Sequence, residues 1–258
     1  MGHIRSEGAV ASTRTAARGA GAVLAALPVL VAAAHVVPAG VWLARPRRAL
    51  MPALAGLGDP QHVALTFDDG PDPASTPAFL DALEELGVRA TFFVLGERLA
   101  RHRTLGGEIV ARGHELGVHG WSHDRPWWPD PQGETARLRR AAHEVAGTAG
   151  VAAVWYRPPY GVLTGDRLLA ARRCGLRPVL WSAWGRDWTA RATARSVLET
   201  VRRDLSGGAT VLLHDSDRHS APGCWQASLA VLPPLVAACR AAGWTVGPLG
   251  EHGVRPAR

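Results

Sequence analysis

The stretch Val63-Ala64-Leu65-Thr66-Phe67-Asp68-Asp69-Gly70-Pro71 joins a short apolar run to two adjacent carboxylates and a Gly-Pro turn. Successive side chains on an extended strand point to opposite faces, so a strand alone could not aim both aspartates at one point. Gly70 and Pro71 let the backbone leave the strand at that place, and both carboxylates can then face one pocket. Two carboxylates so close repel unless a cation sits between them or one stays protonated. The pair is a candidate metal ligand plus general base, set against the plainer alternative of a turn or helix-capping aspartate pair. If chemistry is the reason for it, unusual polar residues should recur at the ends of other strands.

Working outward, Leu57-Gly58-Asp59-Pro60 reads as a loop, and beyond it strand and helix patterns alternate. Strands are expected at 63–67, 90–94, 115–119, 154–157, 178–182, 209–214 and 244–246. Helices are expected at 77–86, 99–112, 134–149, 165–174, 192–205 and 227–242. Thr76 before Pro77 reads as an N-cap, and Gly87, Gly113, Gly175 and Gly243 stand just past helix ends. Such alternation predicts an α/β fold, either barrel-like or doubly wound, in which functional groups gather where strands run into the following loops.

Polar residues do recur there. The third strand runs into His119-Gly120-Trp121-Ser122-His123, two imidazoles that can converge on one ion. Together with a carboxylate from another strand end they make a His-His-Asp set suited to zinc or a similar divalent metal. The fourth strand leads into Arg157-Pro158-Pro159-Tyr160-Gly161, a rigid loop able to position an arginine or an exposed peptide N–H. The fifth is followed by Trp184-Gly185-Arg186-Asp187-Trp188, and the sixth ends Val211-Leu212-Leu213-His214-Asp215. His62, His102, His114, His143 and His252 fall at helix ends or strand starts and read as structural or solvated. Trp121, Trp127, Trp128, Trp184 and Trp188 fall in loops on the same side, where tryptophans can stack on sugar rings, act as lids or simply pack.

Taken together, Thr66-Phe67-Asp68-Asp69-Gly70, His119 with His123, Arg157-Pro158-Pro159-Tyr160-Gly161, Asp187-Trp188 and Leu212-Leu213-His214 resemble the five motifs of the polysaccharide deacetylases. These are the NodB-homology enzymes of carbohydrate esterase family 4, and the resemblance spans about residues 61–250. It implies a distorted (β/α)7 barrel and a hydrolase that removes N-acetyl or O-acetyl groups from a polysaccharide or oligosaccharide, a cell-wall glycan foremost. It further implies that Asp69, His119 and His123 bind a divalent metal, zinc first, with Asp68 the general base and His214 the general acid. Arg157 would orient Asp68 and Asp187 would hold His214. The backbone N–H of Tyr160 would stabilise the oxyanion, and Leu212 and Trp188 would receive the acetyl methyl. The sequence departs from the family at Gly120, where Ser or Thr usually follows the first histidine; Ser122 is the nearby hydroxyl.

Other classes fit less well. A catalytically impaired glycan-binding protein of the same fold would be signalled by loss of Asp68 or His214, and both are present. A haloacid-dehalogenase-type phosphatase needs its two carboxylates separated by one residue, whereas Asp68 and Asp69 are adjacent.

The chain of 258 residues has a net charge of +7, carried by 29 arginines and no lysine. The first 60 residues hold six Arg against two acids, while the rest hold 23 Arg against 20 acids, so there is no basic stripe for nucleic acid. Cys174, Cys224 and Cys239 are far apart, a spacing that excludes Cys-x-x-Cys metal or redox motifs, and their odd number argues against a disulfide framework while leaving room for one bridge. Residues 20–44 form an uncharged, mostly apolar run interrupted by Pro28, His35 and Pro38 and flanked by arginines. Its length suits a membrane-spanning signal anchor or an export signal, against the alternative of an Ala-rich helix packed on the domain. The expected plan is a basic tail at 1–19, the membrane segment at 20–44, a linker at 45–60, the catalytic domain at 61–250 and a tail at 251–258. The enzyme would then work outside the cytoplasm, membrane-anchored or secreted, on an acetylated glycan.

Overall fold

A computed structural model describes residues 29–126 and 128–254. Helix α1 occupies residues 29–36 and runs through a 3-10 turn, Val37–Trp42, towards α2, Ala44–Leu50. The core alternates strand and helix: β1 His62–Asp68, α3 Thr76–Glu85, β2 Thr91–Leu95, α4 Gly96–Arg101, α5 Arg103–Ala111, β3 Glu115–Gly120, α6 Pro131–Ala149 and β4 Trp155–Tyr156. It continues with α7 Gly165–Arg173, β5 Arg177–Pro178, β6 Ala183–Trp184, α8 Ala194–Arg202, β7 Thr210–His214, α9 Trp225–Ala241 and β8 Thr245–Gly247.

All pairings are parallel, in the order β5-β4-β3-β2-β1-β7-β6, with β8 on the first half of β1. Laid flat at about 4.8 Å per strand, that path would span roughly 29 Å. Its two edges, β5 and β6, are joined by only four residues, 179–182, which reach about 17 Å at most. The sheet is therefore forced to curl, and β1 lies at its centre with every residue buried. On the convex side Val63, Leu65, Phe67, Phe92, Val94, Val211 and Leu213 form the main core with the helices. On the concave side Ala64, Phe93, Trp155, Leu180, Trp181 and Leu212 make a smaller apolar lining.

Several expectations change here. The parallel α/β sheet curls as expected for a distorted (β/α)7 barrel, but it has eight strands rather than seven and stays open between β5 and β6. The strand expected at 178–182 dissolves into two two-residue strands. Pro178 lacks an N–H for a ladder, and the backbone beyond it bonds elsewhere: Leu180 N donates to Leu54 O and Ser182 N to Thr210 O. The helix expected at 99–112 is two helices broken at His102, and the N-cap expected at Thr76 falls at Ser75. Gly87, Gly113, Gly175 and Gly243 all carry the positive φ of helix-ending glycines.

The stretch 45–60, expected as a linker, is built into the fold. Arg47 is buried and donates to Trp181 O, and Gly56 O accepts from Thr210 Oγ1. The domain also extends past 250, since His252 and Val254 are buried. Of the apolar run 20–44, residues 20–28 lie outside the described residues. Residues 29–40 and 44–50 meet at an 85° bend, and among the described residues no single helix is long and apolar enough to cross a membrane. His35 contacts Asp166 at 3.1 Å and Pro126 O at 3.1 Å. The three cysteines are free.

Candidate active site

Asp68 is the last residue of β1 and is in register with His214, the last residue of β7. Parallel neighbours in register present their side chains on one face, so both groups reach the concave mouth of the sheet side by side. Asp69 leaves the strand with φ 81°, a left-handed conformation that aspartate tolerates better than most residues. A Cβ at Gly70 would collide with the Asp215 carboxylate, so a side chain there would displace Asp215. Both carboxylates thereby face one pocket, as the Gly-Pro turn suggests.

The two histidines arrive by a different device. Val94 pairs with Val118 but Leu95 pairs with Gly120, so His119 is the extra residue of a bulge that aims it inward. Gly120 then takes φ 127°, and the chain turns to bring His123 back to the same point. Asp69 Oδ1 lies 3.3 Å from His119 Nε2 and 3.4 Å from His123 Nε2. All three groups are buried, and Asp69 Oδ1 has no hydrogen-bond partner. Three ligand atoms about 2.1 Å from a common ion in a tetrahedral arrangement stand roughly 3.4 Å apart, the spacing of Asp69 Oδ1 from both imidazoles. The donor set and the unpartnered oxygen fit a divalent cation, and two imidazoles favour zinc-like metals over magnesium or calcium. His119 Nδ1 donates to Arg157 O at 2.9 Å, which leaves its Nε2 lone pair pointing at the site.

Around this cluster lie the groups expected to move protons. Arg157, fully buried, donates from one nitrogen to Asp68 Oδ1 and Thr66 Oγ1, each at 2.8 Å, and from another to Leu180 O at 2.9 Å. Burial lowers the guanidinium below its ordinary value, and the charge of Asp68 opposes this. Opposite, Asp187 Oδ1 accepts from His214 Nδ1 at 3.0 Å, while its Oδ2 accepts from the His214 N–H at 2.7 Å and Ser228 Oγ at 2.5 Å. Burial alone would depress His214, but Asp187, Asp69 and Asp68 together push it up to about 10. Burial likewise would raise Asp69, yet the facing imidazoles of His119, His214 and His123 hold its carboxyl below the usual carboxylate range.

These groups open onto a cavity of about 450 Å³ whose lining includes Tyr160, Trp181, Trp184, Trp188 and Leu212. Tyr160 has φ 61° and is half-exposed at the rim. Of the ten residues singled out in the sequence, eight line this cavity, and Arg157 and Asp187 stand directly behind Asp68 and His214. Trp121 turns away from it, under the guanidinium of Arg140 at 3.6 Å. Trp128 is exposed, and Trp127 lies outside the described residues. Ser122 donates to Asp124 within its own loop.

Three participants escape a reading of the sequence. His219 stacks on His123, Trp181 joins the Trp184–Trp188 wall, and buried Asp215 accepts from Thr76 Oγ1 at 2.5 Å. Burial and the nearby Asp69 push Asp215 up to about 7. Asp215 follows a histidine at a strand end, the one signal that could have marked it. His219 sits in a loop with no pattern around it.

The family model described as "Polysaccharide deacetylase" matches residues 56–179. A chitooligosaccharide deacetylase of Rhizobium leguminosarum bv. trifolii is 36% identical over 157 residues, 61% of this chain and 73% of that protein. The chain belongs to the polysaccharide deacetylase family. It is thus a hydrolase by kinship. The peptidoglycan-N-acetylglucosamine deacetylase PgdA of Listeria monocytogenes is 34% identical over 161 residues, 62% of this chain but 34% of that longer protein. Among solved structures, the family 4 carbohydrate esterase from Streptomyces lividans in complex with acetate superposes with a TM-score of 0.65 at 27% identity, covering 74% of this chain and 95% of that one. The family match holds Asp68, Asp69, His119, His123, Arg157 and Tyr160 and stops before Asp187 and His214.

Proposed function

We propose that this protein is a metal-dependent deacetylase that removes N-acetyl, or O-acetyl, groups from a cell-wall polysaccharide or its oligosaccharides. The observation that carries this reading is the convergence, on one cavity, of the Asp69–His119–His123 cluster with Asp68 on Arg157 and His214 on Asp187. Asp69, His119 and His123 would hold the ion, with zinc favoured by the donor set. When bound, it supplies Lewis-acid polarisation of an acyl carbonyl and acidification of water.

The remaining work falls to the chain's own groups. Asp68, held in place by Arg157, takes the proton from the attacking water. His214, kept protonated by Asp187, delivers a proton to the departing amine from the next strand. The Tyr160 N–H stabilises the oxyanion, and Leu212 with Trp188 receives the methyl group. The Trp184–Trp188 wall offers an apolar face to a pyranose ring. The apolar run at 20–44 supports an extracytoplasmic enzyme held at the membrane or exported, which suits a wall glycan as substrate.

The test is acetate release by the full chain, reconstituted with zinc, from peptidoglycan, chitin oligomers and acetylated xylan. Release from one of these, lost in Asp69→Ala together with the metal, is expected. No release from any substrate by metal-loaded protein overturns the reading. Asp68→Asn should keep the metal and lose at least about 100-fold in kcat, the ordinary scale of general-base catalysis.

A further inference from the structure

The two histidines of the candidate metal cluster are held in different ways. His119 sits on β3, and its Nδ1 donates to a backbone carbonyl, the usual means of fixing an imidazole ligand. His123 sits in the loop after β3, and its Nδ1 is buried without a hydrogen-bond partner among the described residues. Its ring is nonetheless gripped. His219 lies face to face with it, centroids 4.2 Å apart and planes within 13°, and Tyr160 meets it edge-on at 4.3 Å. The two gripping rings come from separate loops, after β4 and after β7, and His219 is itself exposed.

We infer that His219 is a positioning residue for the metal site, its stacked ring doing for His123 what a hydrogen bond to a carbonyl does for His119. The inference rests on the metal-site reading above. An unanchored imidazole rotates about its Cβ–Cγ bond and spreads its Nε2 lone pair over a range of directions, so ion binding must then restrict that motion. A ring stacked on it removes the freedom beforehand. An aromatic pair of this kind corresponds to about three- to tenfold in an equilibrium constant. The imidazole of His219 suits an exposed position better than an all-carbon ring, but the grip itself needs only a flat face. The loop after β7, which begins with Asp215 directly behind His214, is thereby tied to the metal cluster.

The test uses the full chain, stripped of metal, and measures Zn2+ affinity by competition with a chromogenic chelator and the visible spectrum of the Co2+ form. His219→Ala should weaken Zn2+ binding about three- to tenfold and alter the Co2+ absorption intensity, while the urea midpoint of the metal-free protein stays unchanged. His219→Phe should restore both affinity and spectrum, and His219→Asn should restore neither. Wild-type affinity in His219→Ala overturns the inference while leaving the metal site standing. Rescue by Asn and not by Phe overturns it too, because a polar contact would then be at work. A wild type that binds neither Zn2+ nor Co2+ overturns the metal reading itself, and the inference with it.

Discussion

The guanidinium of Arg157 lies 2.8 Å from Asp68 Oδ1 and 4.1 Å over the ring of Phe93, with no exposure to solvent. Each partner would be costly to bury alone, so the pair stands or falls together. Arg157→Met should destabilise the protein by about 3–5 kcal/mol, because the carboxylate is left buried without a counter-charge. Asp68→Asn added to Arg157→Met should recover part of that loss. Urea midpoints of the four proteins close the cycle, and simple additivity would show that the two side chains are not energetically coupled.

Asp187 makes the analogous pairing with His214. The imidazolium is favoured in the fold up to about pH 10, so it is protonated throughout the neutral range. The linkage has a definite sign: a raised histidine pKa contributes stability below the unfolded value near 6.5, and this is lost as pH rises through about 10. Asp187→Asn removes the charge that raises it. The alkaline limb of the kcat profile should then move to lower pH, with kcat at neutral pH falling about 100-fold or more. A profile identical to wild type in Asp187→Asn would remove His214 from the role of acid.

Much of this is legible in the sequence. Asp68, Asp69, His119, His123 and His214 stand where apolar runs end, and a parallel sheet must bring such ends to one rim. What could not be read was set by tertiary closure. The segment 179–182 looks like a strand because it is apolar, yet it is the short tie that forces the sheet to curl, and Trp181 reaches the cavity only for that reason. Arg47 looked like a flanking charge of a membrane segment, but it is buried against the same tie. His219 lies in a loop, and its stacking depends on where three separate loops meet.

Gly120 explains a departure that the sequence alone left open. The motif that the sequence resembles has Ser or Thr there, but in this chain the residue sits at φ 127°, and a Cβ would stand 3.1 Å from Ser122 O. Gly120→Ser should therefore destabilise the protein by about 1–3 kcal/mol, the cost of holding an L-residue in a sparsely populated conformation. It should leave Zn2+ affinity no better than wild type. A tighter, equally stable Gly120→Ser would mean that this loop relaxes readily to a backbone conformation that suits an L-residue.

At the opposite end of the sheet, His62 and His252 meet with their Nδ1 atoms 2.8 Å apart. His252 Nε2 faces the carbonyls of Gly56 and Gly208, so it carries a hydrogen and donates. Neutral His252 must then accept at Nδ1, which makes His62 the donor between them. A second proton on His252 would set two N–H groups against each other, and burial with the neighbouring His62 lowers its pKa to about 4. A depressed histidine contributes stability above its unfolded value near 6.5, lost as pH falls towards 4. His114, buried beneath the Ala90 N–H, is lowered to about 4 for the same chief reason. Within that window each should add a slope of about 1.4 kcal/mol per pH unit to the loss of stability. In chelator-treated protein, His252→Gln should flatten the fall of the urea midpoint between pH 6.5 and 4 by about one such increment. Parallel pH dependences in wild type and variant would show that the pair takes up its proton without cost.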